Sequence, residues 1–204
     1  MNRAVGVLGG AFNPPHLAHL LLAQEARSAL GLHELVLMPT GVAPHKTISP
    51  EPGADVRLEM TRRAAEGCEW LSVSELEVGR EGPSFAYRTL ELLADEHSGS
   101  QLTFVMGADV AAGLEGWCRP ERVLELARIA IAERPGFERS EVDEALERLG
   151  ATDRVDSLEM PPVGVSSSLV RARFAAGRPV GWLVPDRVAE LVRERGLYGA
   201  GAAA

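Results

Sequence analysis

A doubly wound, mostly parallel α/β sheet in a single domain is the fold class predicted by three features of the chain. Short β-type apolar runs alternate with helix-forming stretches from end to end, the order of elements that builds parallel sheets covered on both faces. The runs at 5–8 and 102–106 stop directly at glycine, and the run at 129–132 gives way to Glu133-Arg134-Pro135-Gly136, so the strands end in turns at a common edge. The length of 204 residues, with 46% hydrophobic and 25% charged residues, suits one substantial core and argues against disorder.

Residues 5–8 (VGVL) read as the first strand, closed by Gly9 and Gly10. Without Cβ atoms these two are expected to take positive φ and lie against a ligand. Residues 17–30 are rich in helix formers and Gly31 is their stop, so the start of this helix offers unpaired N–H groups and a positive dipole end to an anion. His16 and His19 are three apart and share a face of its first turn. Residues 35–38 (LVLM) make the second strand and close a right-handed β-α-β unit. The stretch 39–53, rich in proline and glycine, becomes an exposed loop at the carboxyl edge of that strand, where open α/β sheets bind ligands. It carries Thr40, His45 and Lys46, and Lys46 is the only lysine among 21 lysines and arginines. Composition alone leaves two readings of it open, a compact point charge required there or one surviving surface lysine.

Further on, 55–65 has helical periodicity and 71–76 alternates like a strand. After a Gly-Arg-Glu-Gly-Pro turn, Ser84 is expected to cap a helix through Leu93, with Phe85 and Tyr87 near its start. The strand at 102–106 ends at Gly107-Ala108-Asp109, Trp117 lies in a Gly-Trp-Cys-Arg-Pro turn, and 129–132 is the next strand. An acidic, solvated helix at 140–149, a last strand at 154–158, a helix opened by Ser166, Ser167 and Ser168 with Arg171 one turn on, and an amphipathic helix at 185–195 complete the domain. The domain spans 1–198, and the low-complexity tail 199–204 is expected to fray.

A formal net charge of −8 and a pI near 5.2 argue against a nucleic-acid polymer as partner. Any anionic ligand must be held by a few local cations and backbone donors. Cys68 and Cys118 are the only cysteines and form no C-x-x-C, which excludes a disulfide framework and a structural zinc site. A catalytic zinc at His16 and His19 fits poorly, because zincins space two histidines at i and i+4 around a glutamate. No apolar run approaches the roughly 18 residues of a membrane span and no secretory leader is visible, so the expectation is a cytoplasmic protein without a membrane partner.

The segment G-G-x-F-N-P-x-H-x-A-H at 9–19 resembles the phosphate-binding signature of the nucleotidyltransferase α/β-phosphodiesterase superfamily, G-G-x-F-[D/N]-P-x-H-x-x-H, usually with H-x-G-H. Asn13 stands where many members have Asp, and Ala18 where Gly is usual. V-S-S-S-x-x-R at 165–171 is similar to the second signature, I-S-S-T-x-x-R, with Ser168 for Thr. Between them lie P-H-K at 44–46, P-S-F-A-Y at 83–87 where the family has P-S-Y-T, G-A-D at 107–109, Trp117, and E-R-P-G at 133–136, and G-L-Y follows at 196–198. That order resembles the bacterial nicotinate-nucleotide adenylyltransferase family over nearly the whole chain.

The resemblance implies a Rossmann-like nucleotidyltransferase fold with its site in the crevice above the first and fourth strands. It implies adenylyl transfer from ATP to nicotinate mononucleotide, giving deamido-NAD and pyrophosphate, with Mg²⁺ held on the triphosphate and no protein ligand to the metal. His16, His19 and Lys46 would be catalytic, at the transferring phosphate and the bridging oxygen. Gly9, Gly10, Ala11, Phe12, His16, His19, Gly107, Asp109, Ser166, Ser167, Ser168 and Arg171 would bind ATP. Thr40, Lys46, Ser84, Phe85, Ala86, Asp109, Trp117 and Arg134 would bind the nicotinate nucleotide. Transfer to nicotinamide mononucleotide, phosphopantetheine or glycerol phosphate remains as an alternative, as does a catalytically silent nucleotide-binding regulator. A threonine where His16 lies in the pantetheine-phosphate enzymes speaks against that acceptor. The possibility of a homo-oligomer is left open.

Overall fold

In a computed structural model, residues 3–44, 47–133 and 139–201 are described. Six strands, β1 (Ala4–Gly10), β2 (Glu34–Pro39), β3 (Leu71–Val73), β4 (Gln101–Gly107), β5 (Ala127–Ala132) and β6 (Val155–Leu158), form one sheet in the order β3-β2-β1-β4-β5-β6. Every pairing in it is parallel. The order reverses between β1 and β4, so the crevice beyond the carboxyl ends of these two neighbours is the topological switch point at which such sheets bind ligands. The predicted fold class is present, and with it the crevice above β1 and β4 in which the site is expected.

The strands are apolar on both faces, as parallel strands between two helical layers must be. Val7, Val36, Phe104 and Ile129 join Met38, Leu90, Leu93, Leu114, Val123 and Leu146 on one side, beneath α3 (Ala86–Glu96), α4 (Ala108–Ala111), α5 (Pro120–Leu126) and α6 (Arg139–Arg148). Their immediate successors Leu8, Leu37, Val105 and Ala130 point the other way, into a cluster with Phe12, Leu22, Ala23 and Ala26, under α1 (Leu17–Leu30). A third cluster joins Met60 of α2 (Ala54–Ala65) to Val170 and Phe174 of α7 (Ser167–Ala175) and to Val188, Leu191 and Val192 of α8 (Asp186–Glu194). This last cluster docks the C-terminal helices against the first half of the chain. α1 runs over the predicted residues and stops at Gly31, whose φ of 61° is the left-handed cap a glycine allows at little cost.

Four expectations are corrected. Gly9 and Gly10 stay inside β1 and neither takes positive φ; the left-handed residue is Phe12, at φ 47°. What Gly10 provides is room, since a Cβ there would lie 3.3 Å from the Phe12 ring. β3 ends at Val73 rather than at 76, because the chain turns away after Ser74 donates its N–H to Leu37. Ser84 does not cap α3: Phe85 is the N-cap residue, and the Ser84 hydroxyl instead accepts from the Gly41 N–H. The expected frayed tail begins too early at 199, since residues 197–199 form a 3₁₀ turn and Ala200 is buried in the third cluster.

Candidate active site

The β1–α1 turn, residues 11–16, lies at the switch point and is held almost wholly by side chains from elsewhere. Phe12 is 1% exposed and its ring folds under the turn, edge-on to His19 with centroids 4.9 Å apart. His16 is the N-cap of α1, and its N–H donates to Nδ1 of His19 at 3.2 Å. The two imidazoles stack at 3.8 Å between centroids. Because Nδ1 of His19 accepts, its proton sits on Nε2, so this ring is set as an N–H donor by a main-chain bond. The pair thus follows the predicted i, i+3 arrangement.

Asn13 is the anchor of the turn. It is 3% exposed; its Nδ2 donates to the Pro50 carbonyl at 2.7 Å, and its Oδ1 accepts from the Tyr198 hydroxyl. Burial pushes the Tyr198 phenol well above its ordinary pKa, which keeps it neutral and donating. An amide serves both neighbours at once, whereas an ionised Asp only accepts and would face the Pro50 carbonyl without a proton. The departure from the common Asp is therefore matched by its surroundings. Ala18 is buried at 9% exposure.

Residues 166–171 reach the same turn from far along the chain. Ser166 caps α7 by accepting from the Leu169 N–H at 3.2 Å. Ser167 donates its hydroxyl to the Pro14 carbonyl at 3.0 Å. Arg171 donates to the Asn13 carbonyl at 2.7 Å and to the Ser168 hydroxyl at 3.1 Å. The two motifs do converge, as the resemblance implies, and they do so by hydrogen bonding directly to each other.

On the β2 side, Thr40 continues the sheet edge by donating its N–H to Gly10 at 2.9 Å. Its carbonyl accepts from Arg57, a residue the sequence reading passed over. Arg57 is 0% exposed and donates to the carbonyls of Ala11 (3.0 Å), Thr40 (2.6 Å) and Gly41 (3.0 Å) and to Glu51 (3.0 Å). One guanidinium on α2 therefore joins the β1–α1 turn to the start of the next loop. Nothing local in the sequence marks it among so many arginines. Its only sequence-level trace is a place on the apolar side of α2, between Leu58 and Met60 and the loop before them.

Gly107 ends β4, and Asp109, exposed, is in the first turn of α4. Trp117 is half-buried, edge-on to Phe104 with centroids 5.9 Å apart. Phe85 and Ala86 begin α3, and Phe85 lies over Tyr87. These residues, with Thr40 and Ser84, all sit at the carboxyl edge of the sheet. Lys46 and Arg134 lie outside the described residues.

Comparison with known proteins decides the family. Residues 7–173 match the cytidylyltransferase-like family model. The chain belongs to that family. A relative named nicotinate-nucleotide adenylyltransferase, from Bacillus subtilis, is 34% identical over 196 residues, covering 96% of this chain and 98% of its own. Another, from Geobacillus kaustophilus and named "Probable nicotinate-nucleotide adenylyltransferase", is 35% identical over 96% of this chain and 86% of its own. Among solved structures, the Plasmodium falciparum nicotinic acid mononucleotide adenylyltransferase complexed with APC superposes with a TM-score of 0.77 at 15% identity, over 99% of this chain and 100% of that one. At that identity the superposition speaks for the cytidylyltransferase-like fold. The same protein has also been solved complexed with NaAD.

Proposed function

We propose that this protein transfers the adenylyl group of ATP to nicotinate mononucleotide, forming deamido-NAD and releasing pyrophosphate. The observation that carries the reading is the His16–His19 pair, stacked and tautomerically set at the start of α1 on the β1/β4 switch point. The names of the relatives along nearly the full chain support the same substrates.

A 5′-phosphate oxygen of the acceptor attacks the α-phosphorus of ATP. That P–O bond forms as the bond to the α–β bridging oxygen breaks, and pyrophosphate leaves with the electron pair. The attacking phosphate is already anionic, so no protein base is needed, and the protein supplies in-line alignment and charge stabilisation. The Nε2–H of His19 donates to the transferring phosphate and His16 supports it from beneath. Lys46 joins them at the bridging oxygen, while Ser166, Ser168 and Arg171 hold the β- and γ-phosphates. Mg²⁺ bound with ATP would neutralise charge on the triphosphate, and His16, His19, Ser166, Ser168 and Arg171 act on the phosphates themselves.

On the acceptor side, Trp117 offers a flat face for the pyridine ring. No side chain caps the start of α3, so the N–H groups of Ala86 and Tyr87 serve the nicotinate carboxylate with the help of the helix dipole. An amide presents N–H₂ or a weaker acceptor to such donors, and a site built on that pairing rejects it strongly. Pyrophosphate release from ATP, measured across a panel of acceptor nucleotides, tests the reading: kcat/KM is expected to be highest for the nicotinate nucleotide. Equal values for nicotinate and nicotinamide nucleotides refute the carboxylate pocket, and silence with every acceptor refutes the activity. Among the described residues no helix is long and apolar enough to cross a membrane.

A further inference from the structure

We infer that Glu77 is a positioning residue of the acceptor-nucleotide pocket, fixing the wall formed by Thr40 to Val42 and Pro83 to Ala86 and so setting affinity for the acceptor rather than for ATP. The inference rests on the function proposed above, with Thr40 and Ser84 to Ala86 on the acceptor side.

Glu77 lies in the turn between β3 and α3 and is 7% exposed. Its Oε1 accepts from the Thr89 hydroxyl, inside α3, at 2.8 Å. The Ser84 hydroxyl and the Gly41 N–H lie near enough to draw the carboxyl's pKa down, and that N–H donates to Ser84 Oγ at 3.1 Å. Burial pushes the Glu77 pKa up, while these donors and the charge of Arg80 draw it back. Both terminal nitrogens of Arg80 are buried and make no hydrogen bond, so that guanidinium acts on the carboxylate through its charge.

The strands of the wall are joined independently of Glu77 at only a few points. The Ser84 N–H donates to the Val42 carbonyl at 2.8 Å, and Val42 forms an isolated parallel bridge with Pro83. Arg57 holds the carbonyl of Gly41 from the other side at 3.0 Å. Gly41 is thus held by a buried cation on its carbonyl and by the Ser84 hydroxyl on its N–H. It must also be glycine, because a Cβ would stand 2.1 Å from the Glu77 carbonyl oxygen.

The choice of a carboxylate follows from the donors. The Thr89 hydroxyl donates to it, with the Ser84 hydroxyl and the Gly41 N–H close by, and a carboxyl oxygen accepts from such groups. Glutamine has the same volume but turns an N–H₂ toward one or more of those donors. Glu77→Gln therefore loosens the wall without opening a cavity. Thr89→Val removes a single donor, again at constant volume, and is the milder second variant.

The experiment measures KM for nicotinate mononucleotide and for ATP separately in both variants, alongside deuterium uptake of peptides covering 39–44 and 83–90. For Glu77→Gln the acceptor KM is expected to rise about tenfold and for Thr89→Val about threefold, with kcat and the ATP KM within about twofold of wild type. Uptake should quicken in those two segments alone. Acceptor and ATP KM rising together, an unchanged acceptor KM, or unchanged uptake in both segments overturns the inference. If Glu77→Gln does not fold, Thr89→Val decides by the same criteria. A wild-type enzyme that does not use nicotinate mononucleotide refutes the proposed function instead, and the uptake measurements still show whether Glu77 holds the wall.

Discussion

Replacing Arg57 with methionine tests the claim that one buried side chain assembles the site. Methionine fills a similar volume with an unbranched apolar chain, so the loss is in hydrogen bonding rather than packing. Three main-chain carbonyls, of Ala11, Thr40 and Gly41, lose their donor, and leaving a buried acceptor unpaired costs about 1–3 kcal/mol. The partner carboxylate contributes little, because the Glu51 side chain is 40% exposed and returns to water when released. Removing the guanidinium also lifts its own desolvation cost, which offsets part of the loss, so the net destabilisation is about 3–5 kcal/mol. For a domain of this size that lowers the melting temperature by about 10 °C. Arg57→Lys keeps the charge without the planar fork and should recover less than half of it. Thermal unfolding followed by circular dichroism or calorimetry provides the measurement. A methionine variant melting within about 2 °C of wild type means that the three carbonyls find water or each other, and refutes the account of Arg57 as the clamp.

His19→Ala and Lys46→Ala should each lower kcat by about 10²-fold with small changes in KM, and His16→Ala should behave alike; variants that change KM alone contradict the assignment. Arg171→Ala should raise the ATP KM by about tenfold and leave the acceptor KM nearly unchanged, as steady-state titration of each substrate will show. Asn13→Asp removes the donor to Pro50 and sets a carboxylate against its carbonyl, so chemical denaturation should show a loss of about 1–3 kcal/mol; no loss means the amide proton is dispensable. The Tyr198 pKa is raised in the folded state, first by burial, so its bond to Asn13 contributes full stability below the free phenol's value of about 10 and loses it as pH rises through the folded value. The stability gap between wild type and Tyr198→Phe should therefore narrow above about pH 10, and a gap that stays constant in alkaline unfolding experiments refutes the coupling.

The fold was legible because parallel strands and amphipathic helices write strong local patterns. Runs such as LVLM and LTFVM, buried on both faces, fall within a residue or two of β2 and β4, and Gly31 stops α1 where a glycine cap should. The histidine pair was legible for the same reason, since i, i+3 spacing at a helix start is local geometry. Ser84 was misread because a serine before a helix is ordinarily a cap, and only the fold brings the Gly41 N–H to compete for its hydroxyl. Phe12 was missed as the left-handed residue because the glycines beside it are the better conformational candidates in isolation. Arg57 and Glu77 were hardly legible for a more basic reason: each is defined by partners on other segments, so beyond the place of Arg57 on the apolar side of α2 neither carries a pattern that one segment can show.

The same long-range character bears on the proposal that a turn of so few residues aligns two substrates. Asn13 and Pro14 are held by Pro50, Tyr198, Ser167 and Arg171, which come from the loop before α2, the C-terminal 3₁₀ turn and the start of α7. Ala11 is held by Arg57 of α2. Few of these contacts are apolar, so the turn's position depends on the angles of hydrogen bonds rather than on packing alone, and such bonds weaken steeply when misdirected. For a reaction in which the protein supplies alignment and charge, a displacement of about 1 Å can cost on the order of 10²-fold in rate. Arg171 is the residue where the two demands meet, because it pins the turn through the Asn13 carbonyl and is proposed to hold the triphosphate. Bound nucleotide and the ordered turn then stabilise each other through one guanidinium. The histidines would accordingly be brought to their working geometry by the C-terminal third of the chain as much as by the helix that carries them.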